Sequence, residues 1–491
     1  MKIPLDRQAK EPIYLQIRDR IGHLIHNGGL PSGAQLPSIR KLAQTVNVNK
    51  LTVLEAYSML EAEGLVQAKR GSGYFINPPE MRSPAPPPNA TFNPVQQVII
   101  PTESGSSFSE VYHAGLQSYN QPDYIAFSSG FSHPIGVDDL QRIARRAMKE
   151  AHTFFQHVHP QGDVELRILI TQLLIQQGLE ISPEDIIVTN GSMQALSLLV
   201  DHFISPGNWV IVEAPTYHGY LSILQQKGAR VIGIPMTQKG MNLDLLAQYL
   251  ESHRPKLIYT NSTLQNPTGI TTSIAHRRKL LSLAEEYDCV IVEDNAYEPL
   301  SFETTPPPIK AFEESDARRD SRADRVIYVG TFSKTLMPGL RVGYMCVTGK
   351  ENEAITERKL LHDFHISTAS QAIVKEYLSS GHYRRRLEKI RGVLRDRRDY
   401  MLKLLLRYFP SNTAWTVPDG GTFLWIQLPQ EVDINALTAA AARQKVLVGS
   451  GAAFFPKDQG YPAMRLNFSL PLEEVERGIK ILGEILHEMV C

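Results

Sequence analysis

From about Tyr124 onward, short runs of β-branched residues recur between stretches of helical periodicity, and this alternation limits the fold more than any other feature of the chain. The runs are Asp185-Ile186-Ile187-Val188, Trp209-Val210-Ile211-Val212, Leu257-Ile258-Tyr259, Cys289-Val290-Ile291-Val292 and Arg325-Val326-Ile327-Tyr328-Val329. Past the charged Asp185 and Arg325 that open two of them, each is continuously apolar. A strand that is apolar on both faces needs cover on both, which predicts a mostly parallel sheet between helical layers. At 491 residues the chain is too long for that unit alone, so further domains are expected.

The first 76 residues have a different pattern. Tyr14, Ile17, Ile21 and Ile25 recur at helical spacing and predict a helix from about Pro12 to Asn27. Ser38, after Pro37, caps a second helix carrying Ile39, Leu42 and Ala43, and after the turn Val46-Asn47-Val48 a third runs from about Asn49 to Glu63. Leu65 to Phe75 reads as a β-hairpin with the basic, glycine-rich tip Lys69-Arg70-Gly71-Ser72-Gly73. Three helices and a wing describe a winged helix-turn-helix, whose third helix enters the major groove while wing cations meet phosphates. The charge balance agrees. Lys plus Arg and Asp plus Glu are both 51 over the chain, yet residues 1–76 hold 10 basic and 6 acidic side chains, an excess of 10 − 6 = +4. A small helical domain for protein contacts fits the helix pattern as well.

Residues 77–123 read as a linker, stiff around Ser83-Pro84-Ala85-Pro86-Pro87-Pro88 and looser over Thr102 to Ser107. The expected organisation is therefore a DNA-binding domain over 1–76, this linker, and an effector domain over 124–491. Cys289, Cys346 and Cys491 are too scattered for a disulfide framework or a clustered zinc site. With neither a signal-peptide core nor about 18 consecutive apolar residues, the protein is expected to be cytoplasmic, without a membrane partner.

Resemblance sharpens the N-terminal reading. Gly33, Leu36-Pro37-Ser38, Arg40, Leu42-Ala43, Thr52-Val53, Ala56-Tyr57, Leu60, Glu63-Gly64 and Gly71-Ser72-Gly73 resemble the DNA-binding domain of GntR-family transcription regulators. That resemblance implies operator contacts by Arg40 and by Asn49, Lys50 and Thr52 at the start of the third helix, with Lys69 and Arg70 on the wing. The chain departs from the family at Asn49-Lys50, where Ser-Arg is usual, and lysine lacks the bidentate fork that reads guanine.

The chemistry sits in the larger region. Gly330-Thr331-Phe332-Ser333-Lys334 follows a predicted strand and leads to Gly339-Leu340-Arg341. A lysine that carries an aldehyde needs neighbours that lower its pKa, and a phosphate beside it needs hydroxyls, amides and a cation, which Thr331, Ser333 and Arg341 can supply. Four more segments appear in chain order: Thr189-Asn190-Gly191-Ser192-Met193-Gln194-Ala195 opening a helix, Glu213-Ala214-Pro215-Thr216-Tyr217, Asn266-Pro267-Thr268-Gly269, and Glu293-Asp294-Asn295-Ala296-Tyr297. Singly, Asp294 suits a helix cap, Tyr217 core filling and Asn266-Pro267 a turn. Together they resemble fold type I, aspartate-aminotransferase-like proteins dependent on pyridoxal phosphate.

The fusion of a GntR winged helix to such a domain is similar to the MocR subfamily of bacterial transcription regulators. The resemblance implies that Lys334 carries the cofactor, Asp294 pairs with its ring nitrogen, Asn266 and Tyr297 bind its ring oxygen, and Tyr217 stacks on the ring. It assigns the phosphate to the amides of Ser192 and Met193 with Thr331, Ser333 and Arg341. Arg465, in Met464-Arg465-Leu466-Asn467-Phe468, matches the position that grips a substrate carboxylate, although an ordinary ion pair suits it too. A homodimer is expected by the same resemblance. Three functions remain open: a regulator sensing an amino acid or amine, a working aminotransferase with a DNA-binding appendage, and a sensor of pyridoxal phosphate itself.

Overall fold

The computed structural model describes residues 12–26, 30–62, 65–69, 73–77, 98–99, 123–130, 133–135, 138–150, 156–313, 325–456 and 461–490. The chain divides into two compact units, residues 1–86 and 87–491.

In the first unit three helices, α1 (Ile13–His26), α2 (Ile39–Val46) and α3 (Lys50–Ala62), precede an antiparallel pair, β1 (Val66–Lys69) and β2 (Gly73–Ile76). The Ser38 side chain caps α2 by accepting from the Lys41 N–H at 3.3 Å. Asn47 ends it in the left-handed region at φ 51°, which makes the tight turn into α3. Ile17, Ile21, Val53, Ala56, Tyr57 and Leu60 are fully buried and form this unit's own core. The Tyr57 hydroxyl donates to the Pro37 carbonyl at 2.8 Å, and its ring meets Tyr74 edge-on at 5.0 Å, so α3 is held to both the α2 entry and the wing.

The second unit is built on an eight-stranded sheet. Its strands follow β3 (Ile125–Ala126) in the chain: β4 (Ile186–Thr189), β5 (Trp209–Ala214), β6 (Arg230–Thr237), β7 (Gly240–Met241), β8 (Leu257–Thr260), β9 (Val290–Asp294), β10 (Val326–Thr331) and β11 (Gly343–Cys346). Their spatial order is β4-β11-β10-β9-β8-β5-β6-β7. β6, β5, β8, β9 and β10 are parallel neighbours, and β11 and β7 run against them, so the sheet is mostly parallel. Neighbouring residues in one strand point to opposite faces. Val210, Val212, Tyr259, Val292 and Ile327 join one apolar layer with α4 (Gly191–Phe203), while Ile211, Ile258, Ile291 and Val326 join another with Leu246, Leu250 and Leu280. The continuous Ile/Val runs are therefore covered on both sides.

The remaining chain forms a smaller antiparallel sheet. Its strands are β12 (Ala414–Trp415), β13 (Phe423–Gln427), β15 (Gly449–Ser450) and β16 (Ala463–Asn467), while β14 (Val446–Leu447) pairs with β3. The segment expected to be a linker falls outside the described residues except for Asn77, Val98, Ile99 and Asp123. Ile99 exchanges backbone hydrogen bonds of 2.9 and 2.8 Å with Gly233 on β6. Among the described residues no helix is long and apolar enough to cross a membrane. Cys289 and Cys346 are buried free thiols.

Candidate functional site

The carboxyl ends of parallel strands are where open α/β sheets gather their binding residues, because the turns leaving each strand open on one edge. Here Tyr217 follows β5, Asn266 follows β8, Asp294 ends β9 and Lys334 follows β10. The structure brings these four into one buried site.

Lys334 Nζ donates to the Gly130 carbonyl at 2.7 Å and lies 5.3 Å from the centre of the Tyr297 ring. Burial and then the Arg465 charge push its amine down to about 8, against an opposing pull from Asp294. Asp294 accepts from the Tyr259 hydroxyl at 2.8 Å and from the Ala296 N–H at 3.2 Å. Burial raises its pKa, and those hydrogen bonds lower it. Tyr297 donates to Gly130 O at 3.4 Å and meets Phe423 edge-on at 5.3 Å. The Tyr217 hydroxyl donates to Met193 Sδ at 3.2 Å, and burial pushes its phenol up to about 12. Met193, expected to offer only its backbone, thus also holds the Tyr217 hydroxyl through its side chain.

A polar cradle lies where α4 begins. Thr331 Oγ1 donates to Ser333 Oγ at 3.1 Å, and Arg341 reaches Ser333 Oγ at 3.3 Å and the Asn190 carbonyl at 3.2 Å. Ser192 and Met193 sit in the first turn of α4, whose unpaired amides give that end a partial positive charge. Gly191 has φ 70°, and a Cβ there would stand 2.5 Å from the Arg341 guanidinium. At Gly343 a Cβ would meet the Gly191 carbonyl carbon at 2.5 Å and the Ser192 nitrogen at 2.7 Å. Gly343 is thus required by close approach to backbone and Gly191 by its left-handed φ, and the crossing they allow brings amides, hydroxyls and a cation together.

Arg465 is fully buried on β16. Its guanidinium donates to Asn266 Oδ1 at 3.0 Å and to the Ser128 carbonyl at 2.8 Å, and it lies 4.0 Å from the Phe423 ring centre and 4.8 Å from that of Phe454. No carboxylate partners it among the described residues. Its buried Nε makes no hydrogen bond there either. A buried, uncompensated cation of this kind suits an incoming anion. His218, between Tyr217 and Phe454 at ring separations of 5.1 and 5.2 Å, is pushed down to about 3 by burial and by the Arg465 and Lys334 charges, so its imidazole is neutral.

These residues fit pyridoxal phosphate. The set combines a depressed lysine amine, a buried carboxylate, a tyrosine at the strand edge, and a cradle of hydroxyls, amides and one guanidinium. Several members were not foreseen: Tyr259 and Asn261, which support Asp294, the Ser128 and Gly130 carbonyls, and the Phe423 and Phe454 rings flanking Arg465. A phenol inside the otherwise aliphatic run Leu257-Ile258-Tyr259 was the available signal for one of them.

In the first unit Arg40 is exposed on α2, Asn49 and Lys50 are exposed where α3 starts, and Thr52 is half-buried beside them. Lys69 is exposed at the end of β1, its ammonium 4.9 Å from the Phe75 ring centre. Arg70 lies outside the described residues.

Comparison with known proteins covers both units. Residues 123–482 match the family Aminotransferase class I and II, and residues 13–76 match Bacterial regulatory proteins, gntR family. An aromatic-amino-acid aminotransferase of Thermococcus litoralis is 36% identical over 76% of this chain and 90% of its own length. An uncharacterized HTH-type transcriptional regulator of Escherichia coli, YdcR, is 29% identical over 97% of this chain and 99% of its own. Among solved structures, LysN, an α-aminoadipate aminotransferase of Thermus thermophilus complexed with N-(5'-phosphopyridoxyl)-L-leucine, matches with a TM-score of 0.70 and 30% identity. It covers 79% of this chain and 95% of that one.

Proposed function

Because the chain belongs to the class I and II aminotransferase family and joins that domain to a gntR-type DNA-binding module, we propose that it is a transcription regulator that senses an amino acid or amine through a pyridoxal phosphate site at Lys334. The observation that carries this reading is the gathering of Lys334, Asp294 and Asn266 at neighbouring strand ends with Arg465, whose guanidinium bonds Asn266 and meets no carboxylate among the described residues. The match over nearly the whole of a regulator with both modules favours a regulatory role over an enzyme with an incidental appendage.

Each residue has a task in this reading. Thr331, Ser333, Arg341 and the Ser192 and Met193 amides would hold the phosphate. Tyr217 would cover one face of the ring, and Asn266 and Tyr297 would meet its oxygen. Asn266 Oδ1 already accepts from Arg465, so its amide donor remains for that task. Asp294 would pair with the ring nitrogen, and a cation placed there would counter the burial that raises this carboxyl. When bound, pyridoxal phosphate supplies an aldehyde that captures amines and a ring that accepts electrons. Arg465 would orient an incoming carboxylate, and the Lys334 amine would be the group available to accept a proton.

Sensing needs only the exchange of amines at that aldehyde, because a bound state that favours one domain arrangement alters DNA affinity without turnover. Operator contacts would come from Arg40, Asn49, Lys50, Thr52, Lys69 and Arg70. A homodimer in the cytoplasm is part of the same proposal. The deciding experiment is an absorbance titration of the loaded protein with a panel of amino acids and amines, run alongside DNA binding. The expected result is that one compound shifts both, while Lys334→Ala has no visible absorption and an operator affinity that the compound leaves unchanged. Steady keto-acid formation with several donors would favour the aminotransferase reading instead. A response to pyridoxal phosphate alone would favour a cofactor sensor.

A further inference from the structure

Glu213, the fifth residue of β5, is fully buried and hydrogen-bonds to none of the side chains assigned to the cofactor, yet it grips the stretch 260–265 that leaves β8 toward Asn266. Its Oε1 accepts from Thr260 Oγ1 at 2.5 Å, and its Oε2 accepts from the Asn261 N–H at 3.3 Å and from Gln265 Nε2 at 3.0 Å.

Two of these partners, Asn261 and Gln265, lead to different parts of the site. Asn261 Nδ2 donates to the Asp294 carbonyl at 2.7 Å and reaches the Tyr259 hydroxyl, the group bonded to the Asp294 carboxylate, at 3.4 Å. Gln265 Nε2 also donates to the Pro215 carbonyl at 2.8 Å, in the stretch between β5 and Tyr217. Gln265 Oε1 accepts from the Thr268 N–H at 2.9 Å and from Thr268 Oγ1 at 2.6 Å, which closes the turn containing Asn266. A carboxylate with two oxygens can tie the end of β5 to the stretch leaving β8 through three donors at once, which no apolar side chain of that size can do.

We infer that Glu213 is a positioning residue for the pyridoxal phosphate site, fixing the Asn266 turn and the Tyr217 strand end through Gln265 and supporting Asp294 through Asn261. Burial pushes its carboxyl up to about 7, so the donors around it are what make its ionised form tolerable. The inference rests on the functional reading above.

The test measures pyridoxal phosphate affinity by fluorescence quenching, together with the melting temperature of the cofactor-free protein. Glu213→Leu is expected to weaken cofactor binding by about tenfold or more, as the loss of hydrogen bonds to a buried charge implies. Glu213→Gln should recover affinity to within about threefold, since its amide can still accept from Gln265 and donate to Thr260. Gln265→Leu removes the bridge and keeps the carboxylate. It should also weaken binding, and it provides the readout if Glu213→Leu does not fold. Combining the two leucine substitutions should cost less than the product of their separate effects, because both break one link. Variants that melt earlier but bind the cofactor as tightly as the wild type would reduce Glu213 to a stability role and overturn the inference. A wild-type protein that takes up no pyridoxal phosphate, with nothing fixed to Lys334 by borohydride, would overturn the functional reading and this inference together.

Discussion

Lys334 shows how little a side chain's own chemistry determines its role. An exposed lysine is protonated through the neutral range, but here burial and the nearby guanidinium of Arg465 bring its amine down to about 8. The neutral amine is the form that attacks an aldehyde, and below a pKa its fraction falls about tenfold per pH unit. The rate at which cofactor-free protein takes up pyridoxal phosphate should therefore climb with pH and level off just above 8, read by stopped-flow absorbance. A rise continuing toward 10 would mean an unperturbed lysine. Sequence reading singled out Lys334 and Asp294 because each sits in a short motif of chemically matched neighbours, and Arg465 only because its position resembles that of a carboxylate-binding arginine. It did not find the carbonyls of Ser128 and Gly130, or the Phe423 and Phe454 rings, because a main-chain oxygen has no residue-type signature and those rings come from strands and turns far away in the chain.

At the scale of elements, the sheet was legible because an apolar strand needs cover on both faces, and the Ile/Val runs named their own strands to within a residue or two. Short strands such as β7 and β14, at two residues each, have no period to detect. Nor could the sequence show that β11 and α4 cross so closely. With the Gly343 Cβ position 2.5 Å from one backbone atom and 2.7 Å from another, Gly343→Ala has no side chain to displace and must move the start of α4. The expected result is a lower melting temperature, by several degrees, and cofactor affinity reduced by about tenfold or more, since the phosphate amides move with it. Gly339→Ala, where no atom lies within 4 Å of the added carbon, is the control and should change neither.

For the whole molecule, the two units carry different charge and different tasks. The three helices and wing were legible from spacing, while the DNA-binding reading came from the resemblance to GntR-family regulators, which residues 13–76 match. Arg40→Ala should weaken operator binding and reduce the slope of log affinity against log salt by about one, the contribution of a single phosphate contact. An unchanged slope would assign Arg40 to the fold instead. The winged-helix residues from Ile17 to Ile76 form a hydrophobic cluster of their own among the described residues. Calorimetry should then show two heat-absorption peaks, with operator duplex moving one upward and pyridoxal phosphate the other. Such a division lets either half drift, tighten or be replaced without melting its neighbour, so one sensing body can be paired with new gene targets simply by exchanging the reader in front of it.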